Sequence, residues 1–215
     1  MKPVMKFVVQ FGLALAAVIA SAGAFSQPSL AEYEAASALM LKANDGNKHA
    51  IGQAVDAFKK LSDAEPTNTV YLVNLGAVVS MQARTTINPF KKISYAEDGM
   101  SMQDKALALL KPSNSRLAFD GVEAGLRVKF VAASTFLAVP GFFHRGDQGT
   151  KLLDEVLKAP GFAGSPTAFK GAVWLKAADY AVEQKRPNDA RDYANKIVEA
   201  NAPQVAAARA VLSKL

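Results

Sequence analysis

The densest group of side chains that could take part in recognition lies within the segment Pro140–Asp147. Two aromatic rings, Phe142 and Phe143, stand next to His144 and Arg145. Exposed aromatic rings can anchor a protein partner, and an arginine can pair with a carboxylate of that partner. The segment therefore predicts a partner-binding surface formed by Phe142, Phe143, His144 and Arg145.

The same segment also allows a purely structural interpretation. An apolar run ends at Pro140, and a second amphipathic run begins soon after Asp147, so the segment is typical of a turn between two helices. In that interpretation the two phenyl rings pack inward across the turn, and Arg145 pairs with Asp147. The sequence leaves both interpretations open.

Patterns typical of catalytic or metal sites are missing from the sequence. His49 and His144 are the only histidines, they lie far apart in the chain, and there is no cysteine. Metal-binding histidines at helical spacing, a serine nucleophile elbow and a phosphate-binding glycine loop are all missing. Asp154 and Glu155 are adjacent, so on a helix they point in different directions and form no carboxylate pair. We therefore expect no catalytic residue, no metal and no cofactor.

The charge balance argues against nucleic acid as a partner. The formal net charge is +6, which is mildly basic for 215 residues. No block of Lys and Arg is interleaved with aromatic residues, as binding of single strands would need. Lys91 and Lys92 lie in the first turn of a predicted helix, where positive charge is slightly unfavourable. They could contact an anionic lipid or a partner, or simply be solvated.

The first residues of the chain have the pattern of a secretory signal. Lys2 and Lys6 precede an apolar run, Phe7–Ala20, that is too short to span a bilayer comfortably. Small residues follow, so we expect a signal peptide over residues 1–24, cleaved after Ala24. Cleavage after Ser26 and an uncleaved membrane anchor are the alternatives. The expected destination is the periplasm, with no membrane span in the mature chain.

The rest of the chain, residues 25–215, has the apolar spacing of helices separated by turns. Turn signals fall at Asn44–Asn47, Glu65–Asn68, Asn88–Pro89, Lys111–Asn114, Pro140–Asp147, Ala159–Phe162 and Pro203. The predicted helix after Pro89 reaches Leu110 in spite of Gly99. The run Val122–Leu137 is apolar on more than one side, which predicts a helix buried between neighbours at the centre of the protein. A last helix, Val205–Leu215, is expected to cap the end.

Two stretches resemble the tetratricopeptide repeat. Ala54, Phe58 and Pro66 match the small, aromatic and proline positions of its second half, and Leu75 with Gly76 matches the pair that opens the next repeat. Later in the chain, Trp174, Ala178 and Ala190 match its aromatic and two small positions. The order Asn88-Pro89, Pro112-x-Asn114 and Val139-Pro140 through Arg145 is similar to that of bacterial tetratricopeptide-like proteins with no assigned activity.

This resemblance implies a fold and a class of function. The fold would be all-α, a short α-solenoid of antiparallel helix hairpins that forms a single domain over residues 25–215. The function would be that of a non-enzymatic exported scaffold that binds a protein or peptide partner in the bacterial cell envelope. The alternative is a carrier of a small molecule or lipid with an apolar pocket between its helices.

Overall fold

The computed structural model describes residues 29–115, 118–119 and 121–215, and this part of the chain is of the all-α class, with one pair of two-residue strands as its only β-structure. The predicted signal peptide, residues 1–24, lies outside the described residues. The α-helices are α1 (Leu30–Asn44), α2 (Lys48–Ala64), α3 (Thr69–Met81), α4 (Pro89–Ala108), α5 (Pro112–Ser115), α6 (Ala124–Phe136), α7 (Gly146–Lys158), α8 (Pro160–Ala163), α9 (Thr167–Glu183), α10 (Pro187–Glu199) and α11 (Val205–Leu212). No described helix is long and apolar enough to cross a membrane.

Side-chain caps define the starts of the first four helices. Ser29 and Glu32 form a reciprocal capping box on α1. Asn47, Asn68 and Asn88 each accept a hydrogen bond from backbone N–H groups in the first turn of the following helix. These caps satisfy donors that have no partner inside the helix. The turn signals at Asn44–Asn47, Glu65–Asn68 and Asn88–Pro89 are therefore confirmed.

The structure departs from the predicted helices between α4 and α6. α4 ends at Ala108 rather than Leu110, and the short helix α5 follows. Two two-residue strands, β1 (Ala118–Phe119) and β2 (Val122–Glu123), then pair antiparallel. Gly121 between them has φ +68°, a left-handed conformation that favours glycine in a tight turn. The predicted helix start at Val122 is therefore displaced to Ala124.

The most buried helix is α3, not α6. In α3, every residue from Thr69 to Val79 is buried. The helix packs against α1, α2, α4 and α6, so it has no solvent-facing side along most of its length. α6 is also largely buried, with Val128 and Ala132 fully enclosed. The contacts of α3 with these four helices therefore form the centre of the hydrophobic core in this part of the protein.

Neighbouring helices in the chain pack as pairs. The pairs are α1 with α2, α3 with α4, α6 with α7, and α9 with α10, while α11 packs on α10 and α9. One continuous hydrophobic cluster runs from Tyr33 in α1 to Ala177 in α9, and a second, alanine-rich cluster joins α9, α10 and α11. α11 therefore covers the end of the helical array, as predicted.

Candidate functional site

The predicted partner-binding turn is an ordered connection between α6 and α7. Residues Gly141–Phe143 form one turn of 3-10 helix, and His144 follows with φ 54°. A left-handed conformation is uncommon for a residue with a side chain, and histidine is among those that adopt it more often. α7 begins two residues later at Gly146, so the turn leads directly into that helix.

The Arg145 side chain forms hydrogen bonds within the protein. Its Nη1 and Nη2 donate to the two carboxylate oxygens of Asp104 at 3.0 and 2.6 Å, and Nη1 also donates to Oε1 of Gln148 at 2.7 Å. The guanidinium lies 5.0 Å from the ring centroid of Phe136. A planar guanidinium that donates to three oxygens and lies against a ring is fixed in orientation. Arg145 therefore ties the turn to α4 and α6, and it does not form the pair with Asp147 that the structural interpretation expected.

The two phenyl rings of the turn have different environments. Phe143 is half-buried and packs against the large hydrophobic cluster. Phe142 is 61% exposed and contacts Phe143 with ring centroids 4.4 Å apart. His144 is exposed as well. Of the four predicted residues, Phe142 and His144 present the most surface to solvent, and Phe143 and Arg145 position them.

A groove begins where the turn ends, between α7 and α9. Its larger part has a volume of about 750 Å³ and is open to solvent. The lining residues are Lys129, Asp147, Thr150, Lys151, Asp154, Glu155, Lys158, Ala159 and Tyr180. The groove therefore follows the exposed face of α7, which carries charges of both signs.

A narrower part of the groove, of about 270 Å³, continues towards α10. Tyr180 marks the junction: Thr150 Oγ1 lies 2.8 Å from its hydroxyl oxygen, and the Arg186 guanidinium lies 5.9 Å from its ring centroid. Tyr193 lines the far side, where burial first and then the carboxylates of Asp154 and Asp189 raise the pKa of its hydroxyl. Two half-buried tyrosines thus form the aromatic part of a charged groove.

The charges along the groove are partly neutralised within the protein. Lys129 pairs with Glu155 at 2.7 Å, and Lys158 pairs with Asp154 at 3.3 Å. Asp147 and Lys151 form no ion pair with another described residue. These two side chains, one of each sign, are therefore available to a partner that carries both a cation and an anion.

The sequence did not identify the groove residues as a group. The sequence analysis predicts no binding role for Tyr180, Arg186 or Tyr193. Two tyrosines and an arginine within fourteen residues of an alanine-rich stretch were a signal that could have been used. Their convergence with α7 depends on how α7 packs on α9, which is not visible in either helix alone.

No group of three or more His, Asp or Glu side chains that could hold a metal ion occurs in the part of the chain that the structure describes. His144 lies in the turn and His49 in α2, and the structure does not bring them into one site.

No family model matches this chain, and no curated protein and no solved structure matches it either. The tetratricopeptide-like resemblance therefore stays a prediction based on the residues named above.

Proposed function

We propose that this protein is a non-enzymatic scaffold, exported to the bacterial periplasm, that binds a protein or peptide partner in the groove formed by α7, α9 and α10. The turn residues Phe142 and His144 belong to the same partner surface, at the end of α7 that the turn enters. The proposed architecture is a short α-solenoid of tetratricopeptide-like hairpins, in which such a groove lies along successive helix pairs.

The observation that carries this proposal is the composition of the groove. Tyr180 and Tyr193 supply rigid aromatic surface beside Arg186, and these two residue types dominate the binding energy of protein interfaces. Lys151 and Asp147 can pair with charged groups of a peptide at the rim of the groove. A peptide combines apolar side chains, backbone polar groups and charges, so it matches this mixture.

The groove fits the alternative of a lipid or small-molecule carrier less well. A carrier encloses an apolar ligand and buries most of its surface. The larger part of this groove is instead open to solvent and bordered by Lys, Asp and Glu side chains, and the narrower part contains Asp154 and Arg186. A hydrocarbon chain placed there would leave charged groups desolvated without partners.

The burial of three alanines supports the proposed repeat geometry. Ala54, Ala178 and Ala190 are each 0% exposed. Ala54 lies in α2, which packs on α1, and the other two lie in the adjoining helices α9 and α10. Small residues at such places allow paired helices to approach closely, as the repeat requires.

The proposal can be tested with peptides selected against the folded protein from a displayed random library. We expect the selected peptides to bind in the groove, and Arg186→Ala to weaken their binding by about tenfold or more. Arg191→Ala is the matched control, because Arg191 is an exposed arginine of α10, five residues after Arg186, that does not line the groove. The exposed Arg186–Asp189 pair contributes little to stability, so the fold should be intact.

Backbone amide shifts measured by NMR during the titration give the location of the bound peptide. Shifts confined to α7, α9 and α10 would support the groove. Equal affinity of the Arg186→Ala and Arg191→Ala variants, with shifts elsewhere in the protein, would contradict it. Phe142→Ser tests the turn in the same titration, since Phe142 is mostly exposed and its loss leaves the core unchanged.

A further inference from the structure

A second exposed surface lies where α3 gives way to α4. Ile87 is 97% exposed and Phe90 is 81% exposed, while Ile93 is 37% exposed. We call the surface formed by Arg84, Ile87, Phe90, Lys91, Lys92 and Ile93 the α3–α4 tip. Single exposed apolar residues are common in proteins, but three bulky ones within seven residues form a patch of the kind that marks an interaction site.

The charged residues of the α3–α4 tip are all basic. Arg84, Lys91 and Lys92 are exposed, and the nearest carboxylates along α4, Glu97 and Asp98, follow one turn beyond Ile93. No described carboxylate forms an ion pair with Lys91 or Lys92, whereas the other adjacent lysines, Lys59 and Lys60, both have ion-pair partners within the protein. The α3–α4 tip is therefore a basic surface whose lysines are not held in ion pairs with described residues.

The two lysines lie at an unfavourable place for the isolated protein. They occupy the first turn of α4, where the helix dipole is positive and acidic side chains stabilise the helix. An anion bound at this place would be attracted both by the lysines and by the positive end of the helix dipole. The position of the lysines beside exposed Phe90 thus favours a partner that is both anionic and apolar.

The backbone of the α3–α4 tip is fixed by its own hydrogen bonds. Asn88 Oδ1 accepts from the N–H groups of Phe90 and Lys91, and Thr86 Oγ1 accepts from the N–H of Asn88. Thr85 Oγ1 donates to the carbonyl of Gln82. The apolar side chains are therefore presented on an ordered backbone, which lowers the entropy lost on binding.

We propose that the α3–α4 tip docks this protein on a membrane surface that contains anionic phospholipid. The side chains of Ile87 and Phe90 enter the boundary between headgroups and acyl chains, and Arg84, Lys91 and Lys92 lie against the phosphates. A fluid lipid surface accepts protruding apolar side chains without a preformed pocket, and nearby basic residues strengthen the attraction to anionic lipid. This activity is separate from peptide binding in the groove.

Binding to vesicles of phosphatidylcholine with and without phosphatidylglycerol tests the proposal. The protein is used in the form that its host produces, with the N-terminus read from the intact mass. All variants share that terminus, so any contribution from residues 7–20 is common to them. We expect binding only to the vesicles with phosphatidylglycerol, weakening as salt is added.

Two matched pairs of variants separate the α3–α4 tip from general effects of charge and hydrophobicity. The double variant Lys91→Gln with Lys92→Gln is expected to lower vesicle affinity by about 30-fold, and Phe90→Ser by about tenfold. The controls are Lys59→Gln with Lys60→Gln, and Leu41→Ser at a leucine that is 64% exposed. Neither control is expected to change the affinity, because these residues lie outside the tip.

The depth of the α3–α4 tip can be measured directly. Phe90→Trp in a Trp174→Phe background gives one tryptophan at the tip, and brominated lipids should quench its fluorescence. Leu41→Trp in the same background should stay unquenched. Bound protein with an unquenched tryptophan at position 90, or a lysine double variant that binds like the unaltered protein, would overturn the proposal.

Self-association in the absence of lipid is the remaining outcome to examine. A dimer seen by sedimentation that Phe90→Ser converts to a monomer would show that a second copy covers the α3–α4 tip, and it would also overturn the proposal. Peptide binding in the groove is measured without vesicles, so failure of the membrane proposal leaves the proposed function testable by itself.

Discussion

The α3–α4 pair and the α9–α10 pair both bring two helices close together, but through different atoms. In α3–α4, Gly76 and Gly99 face each other so closely that a methyl group on either would overlap the carbonyl oxygen of the other. In α9–α10, the contact is made by the methyl groups of Ala178, Ala190 and Ala194, all fully buried. We call these two contacts the glycine seam (α3–α4) and the alanine seam (α9–α10). Backbone atoms meet in the glycine seam and side chains meet in the alanine seam, so the two should differ in how well they tolerate added atoms.

The two regions also differ in the reach of their ion pairs. Asp104 of α4 pairs with Arg145, which is 41 residues away in the chain. In α9–α10 the only described ion pair is Arg186 with Asp189, three residues apart. Ion pairing therefore joins α4 to a distant segment, whereas in α9–α10 it stays within one turn.

The largest effect is expected for Gly99→Ala. The new methyl group would meet Ser80 and the backbone of Gly76, which cannot move aside as a flexible side chain can. We expect a loss of about 3 kcal/mol in the free energy of unfolding, measured by chemical denaturation. Gly52→Ala is the control, because a methyl group there meets nothing within 4 Å and should stabilise α2 by about 0.5–1 kcal/mol. If Gly99→Ala changed the free energy of unfolding as little as Gly52→Ala does, α3 and α4 would be packed less closely than described.

A smaller loss is expected for Ala190→Leu in the alanine seam. Side chains around it can adjust in part, so overpacking should cost about 1–3 kcal/mol and lower the melting temperature. Ala207→Leu, at an exposed position of α11, should leave the melting temperature nearly unchanged. An unchanged melting temperature for Ala190→Leu would contradict both the close approach of α9 to α10 and the tetratricopeptide alignment.

The contrast between long-range and local ion pairs can be measured by double-mutant cycles. Replacement of Arg145 and Asp104 by Ala, singly and together, should give a coupling energy of about 1–2 kcal/mol, because the pair is bidentate and partly shielded from water. The same cycle for Arg186 and Asp189 should give about 0.5 kcal/mol or less. Equal coupling energies for the two pairs would show that the long-range ion pair is no stronger than the local one.

The smallest effect concerns the cap of α1 and its dependence on pH. Ser29→Ala should cost about 1 kcal/mol, since the first turn of α1 loses its capping hydrogen bond. The Lys60 ammonium first, and then the Ser29 backbone N–H, hold the pKa of Glu32 below its ordinary value of 4.5. A lowered pKa in the folded state means that this carboxylate stabilises the fold above pH 4.5.

That stabilisation should disappear as the pH falls from 4.5 through the lowered pKa of Glu32. Amide hydrogen exchange in α1 should therefore become faster in this range. Glu32→Gln should remove the step in α1. A step of equal size in that variant would assign it to another group.

The candidate site was predictable only in part. The turn was located from Pro140 and the Gly and Asp residues that follow, because turn chemistry is local. The sequence did not show that Arg145 reaches Asp104, since the two residues are separated by 41 positions. The groove was not foreseen, because its tyrosines come from two helices that meet a third only after packing.

The sequence by itself determined the helices, most of their ends and the all-α class of the described chain. Apolar spacing and capping residues act within one or two turns, so their effect can be read locally. The same local rules led to the expectation that α6 would be central, because its apolar faces are visible in the sequence.

Only the tertiary structure decided that α3 lies at the centre and that Gly76 and Gly99 form a seam. A glycine within a helix lowers the stability of that helix. It stabilises the fold only where another backbone packs closely against it. Tertiary packing likewise decided which apolar residues are left without cover. Phe90 and Ile93 lie at helical spacing in the sequence, yet both remain exposed in the structure, as does Ile87, because burial depends on the position of distant segments.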